Sequence, residues 1–392
     1  MELNETYVLP LQILKTGTMK KILIMIATVI VSMGVGYLVG MGLSYLFGDS
    51  TGSHDIEVSK MLWALFIALC SFIISFFANT VLHEAGHMIF GLMTGYKFMS
   101  FRILNLTLYK SDEGMKFGKF NVGGTLGQCL MVPPSTQPLP YFWYNFGGVF
   151  MNLAVILIAC ILIGKLDMPL IPFEFSIMML ATAAWMFLMN GIPMTLGVPN
   201  DGKNIMVLWR HPEKRKDFYN MLAVASEMYS GKRLYEMPAE WFISSPLTEK
   251  SDAMDLSARN LTYSLLVDKM EFDAARQITE EFQVLGKNLP EMFRCEVASD
   301  RLFLELATLN RIEVVSELYD KKLQKYIETF SKYSPLKSAV LFAYELINNQ
   351  NPVAAQAHYD KVAAHSGKYL NTCETKTALD IMNELKKRQN LD

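Results

Sequence analysis

The chain of 392 residues has a formal net charge of −2, with 51% hydrophobic and 19% charged residues. This composition indicates a membrane protein with a soluble part, and the nearly balanced charge argues against a nucleic-acid partner. The five cysteines are scattered without a CxxC pair. Their spacing argues against a disulfide framework and against a cysteine-ligated metal site.

Four apolar runs approach the roughly 20 residues that a helix needs to cross a bilayer. In chain order they are Ile22 to Phe47, Met61 to Gly91, Tyr144 to Ile163 and Phe175 to Met194. The first run is too long for the apolar region of a cleavable signal peptide, so we expect it to persist as a transmembrane helix. The sequence therefore predicts a polytopic membrane protein with about four transmembrane helices.

The loops that flank these runs differ in their basic residues. Lysines precede the first run, and basic residues are concentrated after the second and the fourth runs. The loops after the first and the third runs contain few of them. The positive-inside rule therefore predicts that the N-terminus, the loop 96–140 and the chain after about residue 200 lie in the cytoplasm.

The second run carries the motif His83-Glu84-Ala85-Gly86-His87 near its end. Histidines at i and i+4 lie on one face of a helix, where both can bind one Zn²⁺. Glu84 can act as a general base towards water at such a metal. Polar side chains at the end of an apolar run are costly to insert, so a functional site is favoured over the alternative, a helix end that faces the loops.

The loop from Tyr96 to Pro140 contains two stretches of alternating character. Phe101 to Tyr109 and Met115 to Val122 are separated by a turn signal at Ser111 to Gly114. This pattern predicts a β-hairpin, with an irregular amphipathic loop as the alternative. The proline-rich segment Val132 to Pro140 is interpreted as a stiff connector, with an extended recognition element as the alternative.

From about residue 203 the chain becomes polar and helical, and it contains a weak repeat. Similar segments end at Ala275, Val315 and Ala355, and these ends are 40 residues apart. Each segment is typical of the turn between two antiparallel helices, as in helical-hairpin repeats. The pattern loosely resembles the tetratricopeptide class, although its period is longer, and an ordinary helical bundle remains the alternative.

A catalytic zinc site needs a third protein ligand beside the two histidines. Asp201 follows the fourth run and is the best-placed candidate, whereas His211 is a weaker one. The alternative for Asp201 is a solvent-exposed aspartate in an Asn-Asp-Gly turn.

Taken together, these motifs resemble the site-2 protease family of intramembrane zinc metalloproteases. The resemblance depends on the motif His83 to His87, on the Gly-x-x-x-Asn spacing of Gly148 and Asn152, and on Asn190 to Pro193 followed by Asp201. It covers about residues 60 to 205. The chain departs from the family pattern at residue 149, where valine replaces the usual proline, and in a longer spacing before Asp201.

The resemblance implies a Zn²⁺ ion bound by His83, His87 and Asp201. It also implies that Glu84 is the catalytic base. The implied reaction is the hydrolysis of a peptide bond in or near the membrane segment of a membrane-anchored protein or peptide, in regulated intramembrane proteolysis or in peptide maturation.

The resemblance further assigns substrate positioning to Asn152, and a similar role to Asn190. The expected partners are the lipid bilayer, the membrane-anchored substrate and a cytosolic protein that the helical tail recognises. One alternative function is a non-catalytic membrane scaffold that binds a partner peptide through this tail. A transporter subunit is disfavoured because the sequence has no evident inverted repeat.

The sequence thus predicts a mainly α-helical protein with three parts. Residues 1–60 form an N-terminal segment with the first transmembrane helix. Residues 61–205 form the metalloprotease core, three transmembrane helices with a cytosolic β-hairpin loop at 96–140. Residues 206–392 form a cytosolic, repeat-like helical domain. We expect a multi-pass protein of a bacterial cell membrane with both termini in the cytoplasm.

Overall fold

The structure is a computed structural model that describes residues 36, 58–111, 114–120, 126–165, 167–196, 198–288, 291–366, 369 and 372–390. The predicted first transmembrane run, Ile22 to Phe47, lies outside the described residues apart from residue 36. The chain divides into two compact units. The first unit is Met1–His83 with Val149–Gly191, and the second is Glu84–Gly148 with Ile192–Asp392.

In the part of the chain that the structure describes, three helices are long and apolar enough to cross a membrane. They are α1 (Val58–Met93), α2 (Tyr141–Lys165) and α3 (Leu170–Gly191). The second, third and fourth predicted runs are therefore confirmed as membrane-length helices. The last run ends earlier than predicted, because the chain leaves the helix ahead of Pro193.

Helix α1 carries a polar stripe on an otherwise apolar surface. Ser71, Ser75, Asn79 and His83 recur at every fourth residue and are all buried, whereas many of its large apolar side chains are exposed. In the first unit, Asn79 Nδ2 donates to Thr182 Oγ1 at 2.8 Å. A helix with polar residues inside and apolar residues outside is suited to lipid, because lipid solvates only the apolar face.

Four strands form one antiparallel sheet in the second unit. They are β1 (Lys97–Ile103), β2 (Leu106–Ser111), β3 (Gly114–Lys119) and β4 (Gly127–Val132). The order in the sheet is β3-β2-β1-β4. The predicted small β-insertion is therefore confirmed, but it has more strands than the single predicted hairpin.

The prediction of Phe101 to Tyr109 as one strand was wrong. It contains the end of β1 and the start of β2, which pair through Ile103 and Leu106 across a tight turn. Leu104 in this turn has a φ of 53°. A single leucine in the left-handed region gives no sequence signal for a turn, because glycine and asparagine are the residues that usually occupy this region.

The segment between β4 and α2 is irregular, and its Leu139 is buried. After α3, a two-stranded ribbon leads into a helical region. Its elements are β5 (Thr195–Leu196), β6 (Val198–Pro199), α4 (Asp201–Arg210), α5 (Arg215–Tyr229), α6 (Ala253–Asp268), α7 (Phe272–Phe282), α8 (Glu291–Ala307), α9 (Ile312–Leu318), α10 (Lys321–Phe330), α11 (Pro335–Ala343), α12 (Pro352–Ala364) and α13 (Thr372–Arg388). Helices α6 to α13 share one large hydrophobic cluster.

Left-handed residues recur in this region with the predicted spacing. Met270, Asn310, Gln350 and Asn390 have φ values of 61°, 46°, 50° and 54°, and neighbours in this series are 40 residues apart. A left-handed residue directly after a helix ends it by capping its last carbonyl groups. The recurrence of this turn favours the helical-hairpin repeat over an ordinary bundle.

Candidate metal centre

His83 is fixed by a contact within the first unit. Its Nδ1 lies 2.8 Å from Oδ1 of Asn152, and both residues are buried. Because an amide oxygen only accepts hydrogen bonds, Nδ1 carries the ring proton and Nε2 presents its lone pair. Asn152 therefore orients a histidine, a role that sequence reasoning did not assign to it.

His87 is fixed by contacts within the second unit. Its Nδ1 donates to the backbone oxygen of Tyr144 at 2.7 Å. Its Nε2 lies 3.5 Å from Oδ2 of Asp201. The two motif histidines thus share one arrangement, in which Nδ1 binds an oxygen from α2 and Nε2 is the nitrogen available to a metal ion.

Helix α1 continues through the boundary between the units, which passes between His83 and Glu84. The helix itself sets the relation of the two histidines, because residues four apart lie one above the other on the same face. Both histidines therefore lie on one face of a single helix, as two ligands of one ion require.

The ribbon β5–β6 and Asn200 place Asp201 at the first position of α4. Asn200 Oδ1 accepts hydrogen bonds from the backbone nitrogens of Met194 and Lys203, at 3.0 Å and 2.9 Å. Its Nδ2 donates to the oxygen of Ile192 at 2.7 Å. Asn200 is therefore the N-cap of α4, and it also holds the two ends of the ribbon together. The Asp201 side chain is only 17% exposed, so it is not the solvent-exposed aspartate of the alternative interpretation.

A pair of asparagines joins α4 to the start of α2 within the second unit. Asn204 Nδ2 donates to Oδ1 of Asn145 at 3.3 Å, and Asn145 Nδ2 donates to the oxygen of Tyr141 at 2.8 Å. Asn204 follows Asp201 by three residues and so lies on the same face of α4. This bond holds Asp201 near the turn of α2 whose Tyr144 holds His87.

Glu84 is buried against the start of β4. A Cβ atom at Gly127 would lie 2.7 Å from Oε1 of Glu84, which is closer than real contacts allow. Nearby, a Cβ at Gly147 would lie 2.4 Å from the backbone oxygen of Gly86, so α1 and α2 meet backbone to backbone. Two glycines therefore let a strand and a helix approach the motif this closely.

Cys129 and the buried Arg102 of the second unit both interact electrostatically with Glu84. Burial raises the pKa of the Cys129 thiol, and the charge of Glu84 raises it further. Burial also raises the pKa of the Tyr96 hydroxyl. Both groups therefore keep their protons at neutral pH, and Cys129 does not offer a thiolate to a metal.

Two residues that the sequence suggested for the site, His211 and Asn190, contact other residues instead. His211 lies at the surface, where its Nδ1 is 3.1 Å from Oε1 of Glu213. Asn190 Nδ2 donates to the oxygen of Met186 within its own helix at 3.1 Å. Sequence reasoning missed Tyr144, Asn145, Asn200 and Gly127. Of these, Asn200 alone had a signal, because asparagine directly before a helix is a common N-cap.

We expect Asn152→Ala to lower the affinity for zinc by about 10- to 100-fold, because loss of an outer hydrogen-bond partner lets a ligand ring rotate. The measurement is competition with a fluorescent zinc chelator on protein in detergent. Asn190→Ala is the matched control and should leave the affinity unchanged. Equal affinities of the two variants would refute the orienting role of Asn152.

We expect Gly127→Ala to lower peptide-bond hydrolysis by about 100-fold with unchanged zinc content, because a displacement of roughly 1 Å at a reacting group has a cost of this order. Gly164→Ala is the control, since a Cβ there has nothing within 4 Å. Zinc content and turnover are measured on the same preparations. Wild-type turnover in Gly127→Ala would show that β4 does not set the position of Glu84.

Comparison with protein-family models, with curated proteins and with solved structures finds no match to this chain.

Proposed function

We propose that this protein is a zinc-dependent endopeptidase that hydrolyses peptide bonds in or near the membrane segment of a membrane-anchored protein or peptide. The observation that carries the proposal is the approach of Asp201 to His87, in which Oδ2 of Asp201 lies 3.5 Å from Nε2 of His87. His87 lies on a membrane-length helix that also bears His83 and Glu84. A carboxylate brought to the second histidine supplies the third ligand that the motif lacked.

The residues present fit a zinc ion. Two imidazoles and one carboxylate are a typical catalytic donor set, with one position left for water or substrate. Both Nδ1 atoms are engaged by oxygens of α2, which selects Nε2 of His83 and His87 as ligands. Hard ions such as Mg²⁺ and Ca²⁺ prefer oxygen ligands, so this set favours zinc.

A zinc ion held by His83, His87 and Asp201 would supply Lewis-acid chemistry, which acidifies water and polarises a carbonyl group. Glu84 accepts a proton from the attacking water while the oxygen of that water bonds to the carbonyl carbon of the substrate. Glu84 then donates this proton to the amide nitrogen as the carbon–nitrogen bond breaks. Burial of Glu84 excludes bulk water, which strengthens the electrostatic interactions that the reaction uses.

A helical substrate must unwind before attack, because its carbonyl groups are shielded by helical hydrogen bonds. We expect an extended segment to pair with the start of β4. Strands β1 and β2 offer no pairing edge, because they are interior strands of the sheet. Gly127 lies beside Glu84, whereas the oxygen of Cys129 already accepts a hydrogen bond from Tyr144 at 3.0 Å. The available edge is therefore short and adjacent to the base.

The loop charges support a membrane orientation with the helical region after about residue 200 in the cytoplasm. The motif would then lie near the cytoplasmic leaflet of a bacterial cell membrane. This location gives the site access both to water and to a substrate that diffuses in the bilayer.

The proposal is tested with the membrane peptides that accumulate in cells carrying Glu84→Gln. When these peptides are added to purified wild-type protein in detergent, mass spectrometry should detect cleavage within or beside their apolar segments. Removal of metal with a chelator should stop cleavage, and added Zn²⁺ should restore it. Cleavage that continues without metal would refute a zinc peptidase, and the absence of any accumulated peptide would refute the protease.

A further inference from the structure

The helical region contains a cavity of about 250 Å³ between five of its helices. Helices α6, α8, α11 and α13 contribute most of the wall, and α5 contributes Met228. This cavity is smaller than the pockets of roughly 300–1,000 Å³ that hold drug-sized ligands. Its size is suited to a side chain rather than to a large cofactor.

The wall is built from equivalent positions of the repeat. Asn260, Asp300 and Val340 all line the cavity and are 40 residues apart, as are Glu296 and Leu336. The four main helices are those that precede the left-handed residues at 270, 310, 350 and 390. The cavity therefore lies on an equivalent face of successive repeats, and helical-repeat proteins bind partners on such shared faces.

Acidic groups exceed basic groups on this wall. Lys337 Nζ lies 2.7 Å from Oε1 of Glu296 and 3.4 Å from Oδ1 of Asp300, so one buried ammonium forms ion pairs with two carboxylates. Asp268, a third wall carboxylate, is already bonded to Nε of Arg233 at 2.7 Å. Glu296 also accepts a hydrogen bond from the Tyr326 hydroxyl, but Lys337 remains the one ammonium that the Glu296–Asp300 pair contacts in this cluster.

Burial raises the pKa of Asp300 to about 7, and although Lys337 opposes this shift, the charge of Glu296 adds to it. A proton or another cation would therefore relieve this cluster. The carboxylates that line the cavity do not form a group of three with oxygens within 4.8 Å in the described part of the chain. A metal ion would find too few ligands there, so an organic cation fits better.

Part of the wall is apolar. Phe303, Leu336 and Val340 line the cavity beside the carboxylates. A cationic head on an aliphatic stem matches this combination, because the stem packs on the apolar part while the head reaches the acids. We propose that the cavity binds the side chain of a lysine or arginine in an extended peptide segment of a partner protein. This site is separate from the proposed zinc site and does not depend on the protease function.

The test uses the full chain in detergent and fluorescein-labelled, acetylated alanine-based decapeptides with one central lysine, arginine, norleucine or glutamate. Fluorescence polarisation should give at least about tenfold tighter binding of the lysine and arginine peptides than of the norleucine peptide, since a buried charge contact is worth this much or more. The glutamate peptide should bind most weakly. Equal binding of all four peptides, or no binding of the lysine peptide at millimolar concentration, would overturn the proposal.

Asp300→Asn should abolish the preference for lysine over norleucine. This variant removes a like charge beside Glu296 and should fold at least as stably as the wild type, which thermal unfolding checks. Asp273→Asn on α7 is the matched control, because Asp273 is exposed and does not line the cavity. A preserved preference in Asp300→Asn, or an equal loss in Asp273→Asn, contradicts the assignment. Displacement of the lysine peptide by spermidine at a lower concentration than by unlabelled peptide would assign the cavity to a free polyamine instead.

Discussion

Replacing Glu84 with glutamine should abolish peptide-bond hydrolysis while leaving the zinc content unchanged. Glutamine keeps the shape of the side chain beside Gly127 but cannot accept a proton from water. We expect turnover to fall by about 10²- to 10⁴-fold, the usual contribution of a general base. Cleavage is followed by mass spectrometry and zinc by elemental analysis of the same purified sample.

Glu174→Gln is the control for this substitution. Glu174 is also a buried glutamate in a membrane-length helix, and its loss of charge should leave cleavage unchanged. Normal turnover by Glu84→Gln would show that Glu84 is not the catalytic base, whereas the absence of turnover in the wild type as well would favour the alternative of a non-catalytic membrane scaffold. Such a scaffold would have no need of a carboxylate at this position.

Replacing Asp201 with alanine should remove most of the zinc and, with it, the activity. The substitution deletes the carboxylate whose Oδ2 lies 3.5 Å from Nε2 of His87. Loss of a direct ligand should weaken zinc binding by more than the roughly 10- to 100-fold expected for an outer partner such as Asn152. Elemental analysis after dialysis against a weak chelator measures the metal that remains.

His211→Ala separates the two candidates for the third ligand. His211 lies 3.1 Å from Glu213 at the surface, so its removal should leave the zinc content at the wild-type level. If Asp201→Ala retained its full complement of zinc, Asp201 would not be a ligand. The longer spacing before Asp201 would then be a departure from the family pattern with functional consequence.

The bonds of Asn200 fix the path of the chain ahead of Asp201. The residues before Asn200 form the ribbon β5–β6, which turns the chain back on itself. Asn200 then bonds to Ile192 and Met194 directly after α3. The ribbon therefore takes up the residues between Ile192 and Asp201, and Asp201 begins α4.

The sequence by itself determined the features that depend on local physics. Three membrane-length helices follow from apolar length, because an apolar run of this size satisfies its backbone only as a helix in lipid. The shared face of His83 and His87 follows from the helical period. The 40-residue recurrence of turns follows from the similar segments that end at Ala275, Val315 and Ala355.

Tertiary structure decided the features that join distant segments. The bond of Asn152 to His83, the approach of Asp201 to His87 and the contact of Gly127 with Glu84 each link residues far apart in the chain. The division of Phe101 to Tyr109 into two strands was decided in the same way, by pairing with neighbouring strands. Periodicity and propensity describe a residue's own neighbourhood, whereas these contacts depend on how whole elements pack, which no local pattern encodes.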